Sequence, residues 1–420
     1  MARIVKVKIN HVGVKWEQVT LGDVCEIIAG QSPKSSNYND SRDGLPFYQG
    51  KKEFTDKYLG TPTKWTTQVT SEAIARDILM SVRAPVGPIN FATKRICIGR
   101  GLVAIRTGEQ IDREFLFYLL LSMQGEIKGS EGAVFASINK NQIQCISFSK
   151  PPLAEQKRIV ATLDEAFAAI ETATANTAKN LTNARELFES QLERAFTVDA
   201  VSEGWTVRSL GEVCLIQPPK REAKARLKLD DKVSFVPMKS LGIRQKDFDS
   251  TRTKLLSEVY GSYTCFVERD VLLAKITPCF QNGKLGIAHN LKNGIGFGSS
   301  EFFVFRCLNQ LIPEYLFYFL SQQSFTDAGV TRMSGAVGQQ RVPPKFVHNY
   351  SIPVPPFPEQ KHIVEMLDKL SAEKQSLVSV YEAKIKALNE LKQSLLHKAF
   401  TGELTADTKA ADRTLSEAGI

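Results

Sequence analysis

Between residues 359 and 401 apolar side chains recur in alternating steps of four and three: Ile363, Leu367, Leu370, Leu377, Tyr381, Leu388, Leu391 and Leu395. Lys374 and Lys384 fill two intervening positions of the same seam. No Gly or Pro interrupts the stretch. Pro355, Pro356 and Pro358 precede it and Gly402 follows it. This spacing predicts one long helix with a heptad seam. An earlier stretch has a weaker seam: Ile159, Leu163, Ala166, Ile170, Ala173, Thr177, Ala184, Leu187 and Ala195. Its alanine and threonine permit close approach but bury little area. The two helices are expected to pair as an antiparallel coiled coil, each about 60 Å long at the α-helical rise. That length matches about one to two turns of a DNA duplex. The simpler alternative is a helical linker packed on its own domain.

The helices are part of a duplication. Pro151-Pro152-Leu153-Ala154-Glu155-Gln156-Lys157 returns as Pro355-Pro356-Phe357-Pro358-Glu359-Gln360-Lys361, and Ala195-Phe196-Thr197 returns as Ala399-Phe400-Thr401. Upstream, Trp16 and Leu21-Gly22-Asp23-Val24-Cys25 match Trp205 and Leu210-Gly211-Glu212-Val213-Cys214. Arg76-Asp77-Ile78-Leu79 matches Arg269-Asp270-Val271-Leu272, and Glu114-Phe115-Leu116-Phe117-Tyr118 matches Glu314-Tyr315-Leu316-Phe317-Tyr318. Gly132-Ala133-Val134 matches Gly335-Ala336-Val337. The order is kept while the spacing drifts, as loop insertions would produce. Such a duplication predicts pseudo-two-fold internal symmetry and a partner or target with two halves. Expected boundaries are a first domain at 1–150, a helix at 151–200, a second domain at 201–350, a helix at 351–405 and a tail at 406–420. Both domains read as mixed α/β. Asp77–Val82 and Ser299–Arg306 are β-prone, Asn282-Gly283 and Asn293-Gly294 signal turns, and the Phe115–Leu121 and Tyr315–Leu320 runs read as buried helices.

Charge sharpens the division. Residues 1–150 hold 20 Lys and Arg against 14 Asp and Glu, and 201–350 hold 20 against 13. The helical stretches hold 5 against 8 (151–200) and 7 against 7 (351–405). The excess of +9 thus sits on the two globular domains, which suits a double grip on a polyanion. No apolar run is long enough to cross a bilayer, and the N-terminus lacks the apolar core of a signal peptide. The seven cysteines form no CxxC pair, so reduced thiols in a cytoplasmic protein are expected, with Cys25 and Cys214 as buried apolar groups.

Catalytic signatures are missing: no GxxxxGK[ST] loop and no HExxH occur, and the five histidines are scattered. No metal or cofactor is expected. Lys150-Pro151-Pro152-Leu153 and Val354-Pro355-Pro356-Phe357 lack the Asn, Asp or Ser of an amino-methyltransferase motif and read as helix starts. Gly294-Ile295-Gly296-Phe297-Gly298 reads as a turn. Basic and amide side chains in loops remain. In the first domain these are Lys51, Lys52, Arg83, Lys94, Arg95, Arg100, Asn139 and Lys140. In the second they are Lys275, Lys284, Arg332, Gln339, Gln340 and Arg341. Arg and Lys can bond guanine O6 and N7, Gln and Asn can pair with adenine N6 and N7, and the others would grip phosphate.

The doubled Pro-Pro-x-x-Glu-Gln-Lys, the doubled Leu-Gly-(Asp/Glu)-Val-Cys opening and the Arg-Asp-(Ile/Val)-Leu strand together resemble the specificity subunit of type I restriction-modification systems. Val271–Phe280 and Gly294–Phe302 look like one variety of that family's target recognition domain. The resemblance implies two target recognition domains, each reading one half of a bipartite site in double-stranded DNA. It implies helices that act as spacer and as docking surface for two modification subunits, with restriction subunits joining through the assembled complex and no membrane. It places methyl transfer and ATP-driven cleavage on the partner chains. Gly30-Gln31-Ser32-Pro33-Lys34 resembles the family's Gly-x-x-Pro-x loop, whereas Gln217-Pro218-Pro219-Lys220 has no glycine, so the two domains are expected to differ in subtype. Two other classes stand against this expectation: a self-contained methyltransferase or nuclease, and a coiled-coil scaffold that binds only protein.

Overall fold

A computed structural model describes residues 16–127, 137–197, 204–336 and 338–404. Gly132-Ala133-Val134, Val337, the N-terminal stretch and the tail lie outside the described residues. Two compact units emerge, Met1–Thr177 with Ala383–Ile420, and Ala178–Glu382. Each long helix contributes one half to each unit.

In the first unit, strand Glu17–Thr20 pairs antiparallel with Ser147–Lys150, so the module's beginning and end lie side by side. A four-stranded antiparallel sheet runs in the order Cys25–Ala29, Leu102–Thr107, Ile78–Ser81, Ile89–Phe91. Helix Arg113–Ser122 buries Phe115–Leu120, and Asp112 caps it by accepting from the backbone N–H groups of Glu114 and Phe115. The second unit repeats these parts. Thr206–Ser209 pairs with Ser351–Val354, and a sheet runs Cys214–Ile216, Phe302–Cys307, Val271–Ala274, Leu285–Ile287. Helix Pro313–Leu320 buries Tyr315–Leu320. The expected mixed α/β character and the two apolar core helices are therefore observed.

The third sheet does not repeat. The first unit has five short strands, in the order Tyr38–Asn39, Lys64–Thr66, Leu45–Tyr48, Ile96–Ile98, Glu72–Ala73. The second has four: Thr253–Leu255, Lys232–Val236, Ile295–Gly298, Thr264–Val267. Ile295–Gly298 corrects the expected turn, because it is a buried strand lying parallel to Ser234–Val236. Glycine is required there by close packing: a Cβ on Gly296 would lie 2.2 Å from the Phe266 ring.

The repeated sequence signatures are brackets. Gln156 is fully buried. Its Oε1 accepts from the Asp112 N–H at 2.7 Å, and its Nε2 donates to the carbonyls of Pro151 and Gln110. Gln360 does the same with the Ile312 N–H at 3.0 Å and the carbonyls of Pro355 and Gln310, both at 2.8 Å. The Arg-Asp signature also has a purpose. Buried Asp77 takes the Arg106 fork, with Glu26 on the far side, and buried Asp270 takes Arg306, with Glu222 in the same place.

The long helices run Leu153–Ala195 and Phe357–Thr401, beginning just after each Pro-Pro as expected. The Ala-Phe-Thr close supplies a ring to a core. Phe400 meets Phe115 at 5.4 Å, and Phe196 meets Tyr315 at 4.9 Å. Ile159, Leu163, Ile170, Ile363 and Leu367 are buried, and Leu370, Leu388 and Leu395 are half-buried. Leu377 and Leu391 are 43% and 46% exposed, and Leu187 is 60% exposed, so these three seam assignments are corrected. One of the two tracks runs a residue later. Between buried Leu367 and half-buried Leu395, the half-buried positions of the second helix are Leu370, Ser371, Lys374, Val378, Tyr381, Ile385, Leu388 and Lys392, with Val378 and Lys392 displacing Leu377 and Leu391 on the track. Aromatic rings make the lysines acceptable. Lys374 Nζ stands 3.8 Å from the centroid of the Phe188 ring and Lys392 Nζ 5.1 Å from that of Phe167, while their stems cover apolar surface. An ion pair at 3.1 Å links Arg185 to Glu382.

Candidate nucleic-acid interface

In the first unit, four loop segments converge at one sheet end. Gln31 N–H donates to Ile98 O, Gly99 N–H to Tyr48 O, Val82 N–H to Gly101 O and Arg100 N–H to Ser32 Oγ at 3.2 Å. Approach this close depends on a missing side chain: a Cβ on Gly101 would lie 2.1 Å from the Gln49 carbonyl oxygen. The edge carries Arg83, Arg100, Lys51 and Lys52, all exposed and without an ion-pair partner among the described residues. Lys34 joins them from the Ser32 loop. The structure thus brings together four of the eight first-domain candidates.

The remainder are differently employed. Lys94 is exposed on the turn before Ile96–Ile98. Arg95 is tied to Glu72 at 2.6 Å. Asn139 caps the short helix Lys140–Gln144 by accepting from the Gln142 N–H, and Lys140 is that helix's exposed first residue.

The second unit uses the same loop-to-loop scaffold. Lys275 N–H donates to Glu301 O, matching Val82 to Gly101. Val342 N–H donates to Lys275 O, matching Ile138 to Val82. The Ile276–Arg341 bridge matches the Arg83–Ser137 bridge. On this common frame Glu301 stands where the first unit has Gly101, and Arg341 where it has Ser137. Arg341 grips Glu301 through Nε and Nη2, both at 2.9 Å, and donates from Nη1 to Gln339 O at 3.1 Å. The guanidinium holds the Glu301 carboxyl below its usual range, with Lys275 adding to the effect. Gln340 lies in the same cluster, its carbonyl accepting from the Thr277 N–H. Lys275, Gln339, Gln340 and Arg341 are therefore brought together.

Two candidates of this unit are engaged in structure. Lys284 donates to Met238 O at 2.9 Å. Arg332 donates to Ala328 O and covers the Phe346 ring. Glu301 was missed by sequence reasoning, because it lies 40 residues from Arg341. Aligning the repeats through Leu102 and Phe302 would have exposed it as the residue replacing Gly101. Cys25 and Cys214 are buried as expected, and burial pushes the Cys25 thiol up to about 12. Among the described residues, no cluster of metal-ligating side chains occurs, and no helix is long and apolar enough to cross a membrane.

The two units share one α/β frame and its brackets and differ in their exposed loops. The family model for the type I restriction modification DNA specificity domain matches residues 13–180 and again 202–387, and the chain belongs to that family. The resemblance read from the doubled motifs is thereby borne out. A putative type I restriction enzyme MjaX specificity subunit of Methanocaldococcus jannaschii is 43% identical over 162 residues, 38% of this chain and 38% of the relative. The type I restriction enzyme EcoEI specificity subunit of Escherichia coli is 37% identical over 185 residues, 42% of this chain and 30% of the relative. The chain thus spans about a third of the length of these relatives. A solved structure described as the basis of complex assembly and conformational transition of the type I R-M system contains a chain of the same fold. It has a TM-score of 0.72 at 19% identity, over 93% of this chain and 98% of that one.

Proposed function

We propose that this chain is a sequence-specific DNA-binding specificity subunit of a type I restriction-modification complex. Each basic module, 1–150 and 201–350, reads one half of a bipartite duplex site. The long helices form an antiparallel coiled coil that sets the gap. Contacts of the first helix with the second support this pairing, because their numbers run in opposite directions: Phe167 with Lys392, Arg185 with Glu382, Phe188 with Lys374. Helix faces and module flanks dock two modification subunits, and restriction subunits join through the assembled complex. Methyl transfer and cleavage belong to those partners, and this chain contributes no catalytic group or cofactor.

One observation carries the reading: identical loop-to-loop hydrogen bonds present Gly101 and Ser137 in one module but Glu301 and Arg341 in the other. A retained frame with a different exposed edge in each copy is what reading two unrelated half-sites requires. Co-expression with the modification subunits, followed by genome-wide mapping of methylated sites, tests it. A bipartite motif with unrelated halves is expected. A single continuous motif, or methyl transfer by the isolated chain with labelled S-adenosylmethionine, would overturn it.

A further inference from the structure

We propose that Arg341, held by Glu301, reads a guanine in the half-site of the second module, with Glu301 as its positioning residue. This inference rests on the DNA-recognition reading above. A guanidinium has five N–H donors in a fixed plane. Three are committed: Nε and Nη2 to Glu301, and Nη1 to the Gln339 carbonyl. Two remain, one on each terminal nitrogen; with Gln339 taking the Nη1 hydrogen on the Cδ side, they form the end-on fork that pairs bidentately with guanine O6 and N7. Arg341 is 46% exposed, so the fork is accessible, while Glu301 is 23% exposed and anchored by its own backbone to Lys275.

Electrostatics separate a base from a phosphate here. The Glu301–Arg341 pair is neutral as a unit, which weakens its pull on a phosphate anion. Its directional donors are undiminished toward the neutral acceptors of a base edge. Lys275, beside Glu301 and over the Phe303 ring at 5.7 Å, supplies the unneutralised cation suited to backbone register. In the first module the matching positions are Gly101 and Ser137, so this device belongs to one half-site only. Fixing the side chain before binding also reduces the ordering cost that a free arginine incurs on contact.

The test uses the complex co-expressed with its modification subunits, comparing the wild type, Arg341→Ala and Glu301→Gln. Methylated-site mapping should show Arg341→Ala losing the requirement for guanine at one position of one half-site, with the other half-site unchanged. Glu301→Gln should weaken the preference at that same position, again with the other half-site unchanged. Retention of the remaining positions of the same half-site shows that the mutated module folds. On synthetic duplexes, 7-deazaguanine at that position should weaken wild-type binding about tenfold or more and leave Arg341→Ala unaffected. An unchanged consensus with uniformly weaker binding and a shallower salt slope would mean a phosphate contact and overturn the inference alone. A half-site lacking any G·C pair would also overturn it. A wild-type complex that methylates no bipartite motif would overturn the function reading and this inference with it.

Discussion

Gln360 donates from Nε2 to the carbonyl of Pro355, five residues back, at 2.8 Å. The same amide satisfies the Gln310 carbonyl and the Ile312 N–H, so one side chain joins the helix start to the loop that opens the module's apolar helix. Replacing it with alanine leaves up to three backbone polar groups unpaired in a dry site, each costing about 1–3 kcal/mol. Gln360→Ala should lower the unfolding midpoint of its unit, and Gln156→Ala that of the other. Gln360→Glu should be no milder, because a carboxylate cannot donate to the two carbonyls. Differential scanning calorimetry resolving the two units checks this.

Asp270 is buried, and Arg306 provides its charge partner. Arg306→Leu should cost about 3–5 kcal/mol at neutral pH, since it strands a carboxylate. Burial is the largest influence on the Asp270 carboxyl and holds it above its usual range. The unfolded state therefore binds fewer protons, so stability falls as pH rises from the ordinary carboxylate value through the raised one. The loss in Arg306→Leu should accordingly shrink in acid. Urea unfolding at neutral and acid pH measures the difference.

Lys374 sits on the seam over Phe188, and burial holds its ammonium below the ordinary lysine range. The unfolded chain binds that proton more tightly, so stability rises with pH from the lowered value to the ordinary one. Lys374→Met should stabilise the second unit by on the order of 1 kcal/mol at neutral pH. Its advantage should vanish in alkali. Phe188→Ala should cost about 3–5 kcal/mol. Thermal midpoints across a pH series test all three.

Arg100 has no ion-pair partner among the described residues, unlike Arg95 with Glu72. Arg100→Ala should weaken DNA binding and reduce the salt slope by about one. Arg95→Ala should have the smaller effect, because Glu72 already engages its guanidinium. Affinity titrations at several salt concentrations separate the two.

Removing one heptad from each long helix shortens it by about 10 Å, or about three base pairs of duplex. The gap between methylated half-sites should contract while both half-site sequences persist. An unaltered gap in the mapped motif would remove the spacer role.

The helices were legible because proline, glycine and a four-three rhythm are local signals. Their seam was only partly legible. Lys374 lies on the seam as expected, but Leu377, Lys384 and Leu391 face outward, and Lys392 turns inward over a ring supplied by the other helix. Nothing in the immediate sequence states that a ring will be waiting. The strand at Ile295–Gly298 was hidden for a related reason. Its glycines disfavour a strand in isolation, and the rings of Phe266 and Phe302 that demand them come from other strands. For the candidate interface, residue type identified Arg341, but only the register of two distant loops reveals that Glu301 holds it. Lys284 and Arg332 looked equally available in sequence and are committed to backbone carbonyls.

Each module begins and ends in a two-stranded ladder, Glu17–Thr20 with Ser147–Lys150 and Thr206–Ser209 with Ser351–Val354. That stem makes the module a closed lever. A load applied at the exposed loops reaches the long helices through these ladders, through the glutamine amides and through direct packing such as Phe115 on Phe400 and Tyr315 on Phe196. A stiff stem returns a torque as rotation of the whole module, with its loops undistorted. Under the proposed function, recognition and assembly are then coupled by rigid motion of a module whose reading surface keeps its shape.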